Sequence, residues 1–118
     1  KLGDILILGL NSDSSVSNLK GPQRPLIGED QRAHILAALD CIDYVIVFSE
    51  LDPLNLIREI QPDFLVKGGD YRVEGVVGRD IVESHGGKVV IVPLVENVST
   101  SAIVQEIVER YSKKTSTD

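Results

Sequence analysis

The sequence predicts an α/β fold in which an open, doubly wound parallel sheet carries helices on both faces. Three observations support it: the aliphatic runs are short and unbroken, helical patterns separate them, and 118 residues suit a single domain. Unbroken apolar runs are typical of parallel strands that are buried on both faces. Aromatic residues make up only 4% of the chain, so Ile, Val and Leu must form the core.

Four aliphatic runs are predicted to be the strands of this sheet. Each is bounded by glycine, proline or polar residues, which commonly end strands. The runs span residues 4–10, 44–48, 64–67 and 88–92.

Helical patterns fill most of the intervals between the strands, at residues 29–39, 53–60, 79–84 and 99–111. Asp52 is a predicted N-cap before Pro53, and Ser99 or Thr100 is the predicted cap of the last helix. The segment 17–28 is rich in glycine and proline, and its length is typical of either a functional lid or a tolerated insertion. We expect one domain over residues 1–111 and a flexible tail over residues 112–118.

Composition and charge exclude several function classes. Twelve basic residues against eighteen acidic residues give a net charge of −6, which argues against general nucleic-acid binding. No apolar stretch reaches the roughly 20 residues that a membrane helix needs. The single cysteine, Cys41, cannot form an internal disulfide and nothing argues for secretion, so we expect a cytoplasmic protein. His34, His85 and Cys41 lack the spacing of metal ligands, and we predict no metal site made by the protein alone.

Polar residues follow three of the predicted strands, and ligands in open α/β sheets bind beyond the carboxyl ends of strands. These residues are Asn11 and Asp13 after the first strand, Lys67, Gly68, Gly69 and Asp70 after the third, and Ser99, Thr100 and Ser101 after the fourth. Hydroxyl groups at a helix start can bind phosphate, but they also serve as ordinary N-caps. Likewise, Gly-Gly-Asp can form a nucleotide-binding turn or a turn without function.

Three further cations have two interpretations each. Lys20 and Arg24 flank Gly21 in the long segment and could close over a polyphosphate, or they could simply be solvated. Arg32 projects from the apolar stripe of its predicted helix, so its guanidinium needs an anion. That anion is either a ligand or a carboxylate of the protein itself, unless the side chain lies at the margin of the stripe and reaches water.

Together these residues and their neighbours resemble the motifs of the cytidylyltransferase-like nucleotidyltransferase family, over residues 1–111. The most similar branch is that of the adenylyltransferase domains that form ADP-heptose. The resemblance rests on Asn11-Ser12-Asp13, Leu19-Lys20-Gly21-Pro22 with Arg24-Pro25, Gln31-Arg32, Pro62 to Tyr71, Gly86 to Val90, and Val98-Ser99-Thr100-Ser101.

The resemblance implies a Rossmann-like fold and transfer of AMP from ATP, with Mg²⁺, to D-glycero-β-D-manno-heptose 1-phosphate. The implied roles are as follows: nucleotide binding by Lys67, Gly68, Gly69 and Asp70; phosphate binding by Ser99, Thr100 and Ser101; substrate binding by Asn11, Asp13 and Arg32; and a catalytic contact by Lys20. The implied partners are therefore ATP and a sugar 1-phosphate, without nucleic acid or membrane.

The chain departs from the family pattern at its beginning. The family carries two histidines flanking a glycine in a strand-loop-helix unit that precedes the position of Asp4, and that unit is absent here. We therefore expect residues before Lys1 in the intact protein, and little activity from this chain alone. A sheet without that strand would have an open edge that favours pairing between copies. Asn97 also stands where the family usually has glycine, and Ser101 replaces a common threonine.

Three alternatives remain open at this point. One is a cytidylyltransferase acting on glycerol phosphate or another alcohol phosphate, since the motifs separate the bases poorly. Another is a domain that only binds nucleotide. The third is a signalling receiver domain, which the sequence disfavours because Ser49 and Glu50, not an acceptor aspartate, follow the strand at residues 44–48.

Overall fold

The structure, a computed structural model, describes residues 2–69, 72–93, 95 and 99–115. Strands and helices alternate along these residues as the sequence predicts. The strands are β1 (Ile7–Asn11), β2 (Tyr44–Phe48), β3 (Phe64–Gly68) and β4 (Lys88–Val92). The helices are α1 (Asp13–Lys20), α2 (Glu29–Ala37), α3 (Leu54–Ile60), α4 (Arg79–Ser84) and α5 (Thr100–Thr115), with a 3₁₀ turn at Val73–Gly75.

The described strands pair in parallel, which confirms the predicted strand direction. β1 pairs with β2 from Ile7↔Tyr44 to Asn11↔Phe48, so these two strands end side by side. β3 pairs with β4 in the same way, and Gly68 lies opposite Val92 at their carboxyl ends. The sequence analysis expected one open sheet, whereas the described residues form two sheets of two strands each.

Helix α1 is the main element that the sequence analysis missed. Residues 13–20 contain only two apolar side chains, Val16 and Leu19, which are too few for hydrophobic periodicity to reveal a helix there. Capping supports it instead, because the Ser12 hydroxyl accepts a hydrogen bond from the Ser15 backbone N–H at 3.2 Å. Asp13 in the first turn and Lys20 in the last turn also suit the helix dipole. The predicted loop 17–28 therefore shrinks to residues 21–28.

The other boundaries shift by a few residues. β1 begins at Ile7, three residues later than predicted, and α2 ends at Ala37. Helix α4 has the predicted bounds, while α5 continues to Thr115, beyond the boundary expected at Tyr111. The predicted N-cap of α3 is wrong by one position, because the helix begins at Leu54 with Pro53 as its N-cap. The Asp52 carboxylate still accepts the Leu54 N–H at 3.0 Å.

The buried apolar core of the described residues is small. It contains Phe48 at the end of β2, Ile57 of α3 and Val82 of α4. Many large aliphatic side chains on the strands remain exposed, among them Val47 and Val66. The radius of gyration is 17.2 Å, against about 13.5 Å for a compact domain of this length. Much of the apolar surface of the strands is therefore left uncovered by the described residues.

Among the described residues, no helix combines the length and the apolar character that crossing a bilayer would require.

Candidate functional site

The carboxyl ends of β1 and β2 are joined to the start of α1 by hydrogen bonds. The Asn11 amide donates to the Ser15 hydroxyl at 3.0 Å, and that hydroxyl donates to the Glu50 carbonyl at 2.9 Å. The Ser12 N–H donates to the Phe48 carbonyl at 2.8 Å. Ser12 and Ser15 are buried. This network fixes Asn11, a predicted substrate-binding residue, at the edge where the two strands end.

Asp13 and Arg32, both predicted to bind substrate, are bonded to each other. The Arg32 Nη2 atom lies 3.0 Å from Asp13 Oδ1, and its Nε donates to the Ile27 carbonyl at 2.9 Å. The Glu29 carboxylate accepts the Asp13 backbone N–H at 3.0 Å. Of the two anions considered for Arg32, the structure shows the carboxylate of the protein, and substrate binding by this pair stays a prediction.

A double-mutant cycle can measure how strongly this pair holds α1 and α2 together. The Arg32 side chain is 20% exposed and the Asp13 side chain 45% exposed, so solvent screening reduces the coupling. We expect a coupling free energy of about 1 kcal/mol between Asp13→Asn and Arg32→Gln. Chemical denaturation of both single variants and the double variant checks this value, and additive losses would contradict it.

The loop 21–28, which the sequence analysis treated as a lid or an insertion, is held at several points. The Ser17 hydroxyl donates to the Arg24 carbonyl at 2.5 Å, and the Arg24 N–H donates to the Gly21 carbonyl at 3.1 Å. The peptide bond between Arg24 and Pro25 is cis. The Arg24 guanidinium also reaches the Ser101 hydroxyl at 3.4 Å. The segment after β1 therefore contacts the first turn of α5.

The start of α5 combines an N-cap with open hydrogen-bond donors. The Ser99 hydroxyl accepts the Ala102 N–H at 3.0 Å, so Ser99 is the N-cap that the sequence analysis considered. Thr100 and Ser101 are exposed. Their N–H groups belong to the first turn, where a helix provides no intrahelical acceptors and carries partial positive charge. Capping by Ser99 is therefore compatible with anion binding next to it.

Of the two cations in the long segment, the structure brings Arg24 to the helix start. The family resemblance implies a catalytic contact by Lys20, which lies exposed in the last turn of α1. For Arg24 the sequence left two interpretations open, closure over a polyphosphate or simple solvation. No pattern in the sequence marks the contact with Ser101, because the two residues are 77 positions apart.

Lys67, Gly68 and Gly69 lie at the carboxyl end of the second sheet. Lys67 pairs with Ile91 in the strand register and is exposed. Gly69 is buried, and its N–H donates to the Val92 carbonyl at 3.0 Å. Asp70, the last residue of this predicted nucleotide-binding run, lies outside the described residues. Convergence of the run with Ser99, Thr100 and Ser101 stays a prediction.

No group of three or more His, Cys, Asp or Glu side chains in the described part of the chain is placed to hold a metal ion.

Comparison with known proteins shows several similarities. A family model described as cytidylyltransferase-like matches residues 1–112. The chain is 61% identical over 112 residues to the bifunctional protein HldE of Trichlorobacter lovleyi, and 59% identical over 112 residues to that of Geobacter sulfurreducens. Each match covers 95% of this chain but 23% of the relative, so the chain spans about a quarter of these proteins.

A solved structure has a similar fold. It is the crystal structure of the lipopolysaccharide core biosynthesis protein from Thermoplasma volcanium, with a TM-score of 0.57 and 26% sequence identity. The match covers 80% of this chain and 75% of that chain. Together with the matching family model, it confirms the resemblance stated from the motifs and the Rossmann-like fold class.

Proposed function

This chain belongs to the cytidylyltransferase-like family, and from that premise we propose that it carries an adenylyltransferase site. The proposed reaction transfers AMP from ATP to D-glycero-β-D-manno-heptose 1-phosphate and yields ADP-heptose and pyrophosphate. The name of the solved neighbour, a lipopolysaccharide core biosynthesis protein, supports a product used in that process. The relatives are named bifunctional, and a chain spanning 23% of their length is suited to supplying one of two activities.

The observation that carries the proposal is the meeting of two motifs that lie far apart in the sequence. Leu-Lys-Gly-Pro…Arg-Pro and Ser-Thr-Ser come together where Arg24 contacts Ser101 at 3.4 Å. A cation beside a helix start is a suitable arrangement for a phosphate group. Two motifs on which the family resemblance rests thus lie side by side.

The proposed chemistry is an in-line displacement at the α-phosphorus of ATP. A phosphate oxygen of the sugar phosphate forms a bond to that phosphorus, and the bond from the phosphorus to the bridging oxygen of the β-phosphate breaks. Pyrophosphate leaves with the electron pair of the broken bond. The protein contributes mainly by placing two anions together and offsetting their charge.

The proposed roles keep those of the sequence analysis. Ser99, Thr100 and Ser101 bind phosphate oxygens through hydroxyl and N–H groups, while Lys67, Gly68, Gly69 and Asp70 hold the nucleotide. Asn11, Asp13 and Arg32 form the side of the site that receives the sugar phosphate, and Lys20 contacts the polyphosphate.

Mg²⁺ is proposed to enter with ATP as part of the substrate. Mg²⁺ commonly keeps several water ligands and binds substrate phosphates with few protein carboxylates. That mode fits the described residues, which hold no cluster of acidic or histidine side chains for a metal. A requirement for ATP also fits the expected location of the protein in the cytoplasm. Pairing between copies of the chain stays a separate expectation.

The test uses the full-length protein, because the chain spans only 23% of the length of its relatives. The protein is incubated with Mg²⁺, the heptose 1-phosphate and ATP labelled at either the α- or the γ-phosphate. We expect the α-label in ADP-heptose and the γ-label in pyrophosphate, both identified by mass spectrometry. Glycerol 3-phosphate replaces the sugar phosphate, and CTP replaces ATP, in parallel reactions.

Two outcomes would overturn the proposal. Turnover with CTP and glycerol 3-phosphate alone would identify the cytidylyltransferase alternative. Nucleotide binding without release of pyrophosphate would identify a domain that only binds nucleotide.

A further inference from the structure

We infer that Arg24 binds the triphosphate of the nucleotide, as a second cation that loop 21–28 supplies to the start of α5. The inference rests on the proposed function and adds Arg24, to which the family resemblance assigns no role, to the residues of the site. The proposed contact is with the phosphate groups of ATP that leave as pyrophosphate. A helix start and a guanidinium are both suited to binding phosphate oxygens.

The backbone of Arg24 is fixed by bonds that do not involve its side chain. Its carbonyl accepts from Ser17 of α1, and its N–H donates to Gly21, which ends that helix. These bonds hold the Arg24 backbone beside α1, and its guanidinium reaches Ser101, 77 positions later in the chain and in the first turn of α5.

The Arg24 guanidinium bonds a neutral partner, whereas three other arginines bond carboxylates. Arg32, Arg79 and Arg110 each form an ion pair with a carboxylate of the protein. Among the described residues, no carboxylate lies within ion-pair distance of Arg24, and its one side-chain hydrogen bond is to a hydroxyl. Within the described residues, then, no carboxylate offsets the charge of Arg24.

The charge of the whole chain makes such a cation necessary. ATP is a polyanion, and the chain itself carries a net charge of −6. Affinity for the nucleotide then depends on a few cations placed at the phosphates. An arginine offers several donors in a fixed plane, so it can bind a phosphate while it retains the Ser101 hydroxyl.

The test compares Arg24→Gln with the matched control Arg58→Gln in the full-length protein. Arg58 also bonds a neutral oxygen, Asn55 Oδ1, at 3.4 Å, but it lies in the last turn of α3, which precedes the amino end of β3. The readout is release of pyrophosphate that depends on the heptose 1-phosphate, so ATP bound elsewhere in the protein does not contribute.

For Arg24→Gln we expect the KM for ATP to rise about 10- to 100-fold, because a hydrogen bond to a charged group is lost. The inhibition constant of added pyrophosphate should rise in parallel, while the KM for the sugar phosphate and the unfolding temperature change little. Arg58→Gln should match the wild type in all four measurements. A purely structural role for Arg24 would instead lower the unfolding temperature and affect both substrates alike.

Arg24→Lys keeps a positive charge and tests the inference even if the glutamine variant does not fold. Its KM for ATP should rise by a smaller factor, about 3- to 10-fold, because lysine has the charge without the planar donors. An unchanged KM for ATP in both folded variants, with an active wild type, would overturn the inference and leave the proposed function standing. A wild-type protein that releases no pyrophosphate would overturn the proposed function itself.

Discussion

Replacing Gly87 with alanine is expected to destabilise the protein by about 3 kcal/mol or more. A Cβ atom at this position would lie 2.6 Å from the Asp63 carbonyl oxygen and 2.7 Å from the Val82 Cγ1 atom. The Asp63 carbonyl cannot move away freely, because it accepts the Lys88 N–H at 2.9 Å where β4 begins. We therefore expect a loss of more than 10 °C in unfolding temperature, measured by thermal denaturation.

The neighbouring Gly86 provides the control for this prediction. It has a φ of +83°, but a Cβ there would meet no atom within 4 Å. Gly86→Ala should therefore cost only the conformational penalty of the left-handed region, about 1 kcal/mol. Equal destabilisation by the two substitutions would show that the contact with the Asp63 carbonyl is not the cause.

Replacing Lys67 with glutamine is expected to lower kcat/KM for AMP transfer by about 100-fold or more. Lys67 is exposed near the carboxyl end of β3, where the proposed site requires a cation next to the Gly68–Gly69 turn. Glutamine keeps most of the length of the side chain but removes its charge. The measurement is pyrophosphate release by the full-length protein, with unfolding temperature as the check on folding.

Lys88 is the matched control within the same sheet. It is also exposed, but it begins β4 opposite Phe64, at the amino end of the strands. Lys88→Gln should leave kcat/KM within about twofold of the wild type, because an exposed charge at that end is screened by salt over the length of the strands. If Lys67→Gln were as active as Lys88→Gln, Lys67 would lose its proposed role.

The strands could be predicted from the sequence because their signal is local. Unbroken aliphatic runs bounded by glycine and proline predict buried parallel strands, and β2 and β4 have the predicted bounds. Helix α1 could not be found by the same reasoning, because its sequence DSSVSNLK is polar and its support comes from the Ser12 cap. Pairing of the strands into two sheets depends on contacts far apart in the chain, which local patterns do not contain.

The sequence predicts which residues belong to the candidate site better than it predicts which of them contact each other. Motif resemblance selected Ser99 to Ser101 and Lys67 to Asp70, whose roles stay predictions, and the comparisons confirm the family. The interpretation of Arg32 stayed open because an apolar helix face indicates a need for an anion but not which anion. The structure shows Asp13 in that position. The contact of Arg24 with Ser101 could not be predicted because it joins two distant parts of the chain.

The attachment of loop 21–28 has a consequence for how a nucleotide would enter. Ser17 and Ser101 fix Arg24, while Arg32 binds the Ile27 carbonyl near the end of the loop. A segment ordered in this way loses little conformational entropy when a ligand arrives, so more of the contact energy appears as affinity. Substrates would then enter along a preorganised edge, and departure of pyrophosphate would require no large swing of this segment.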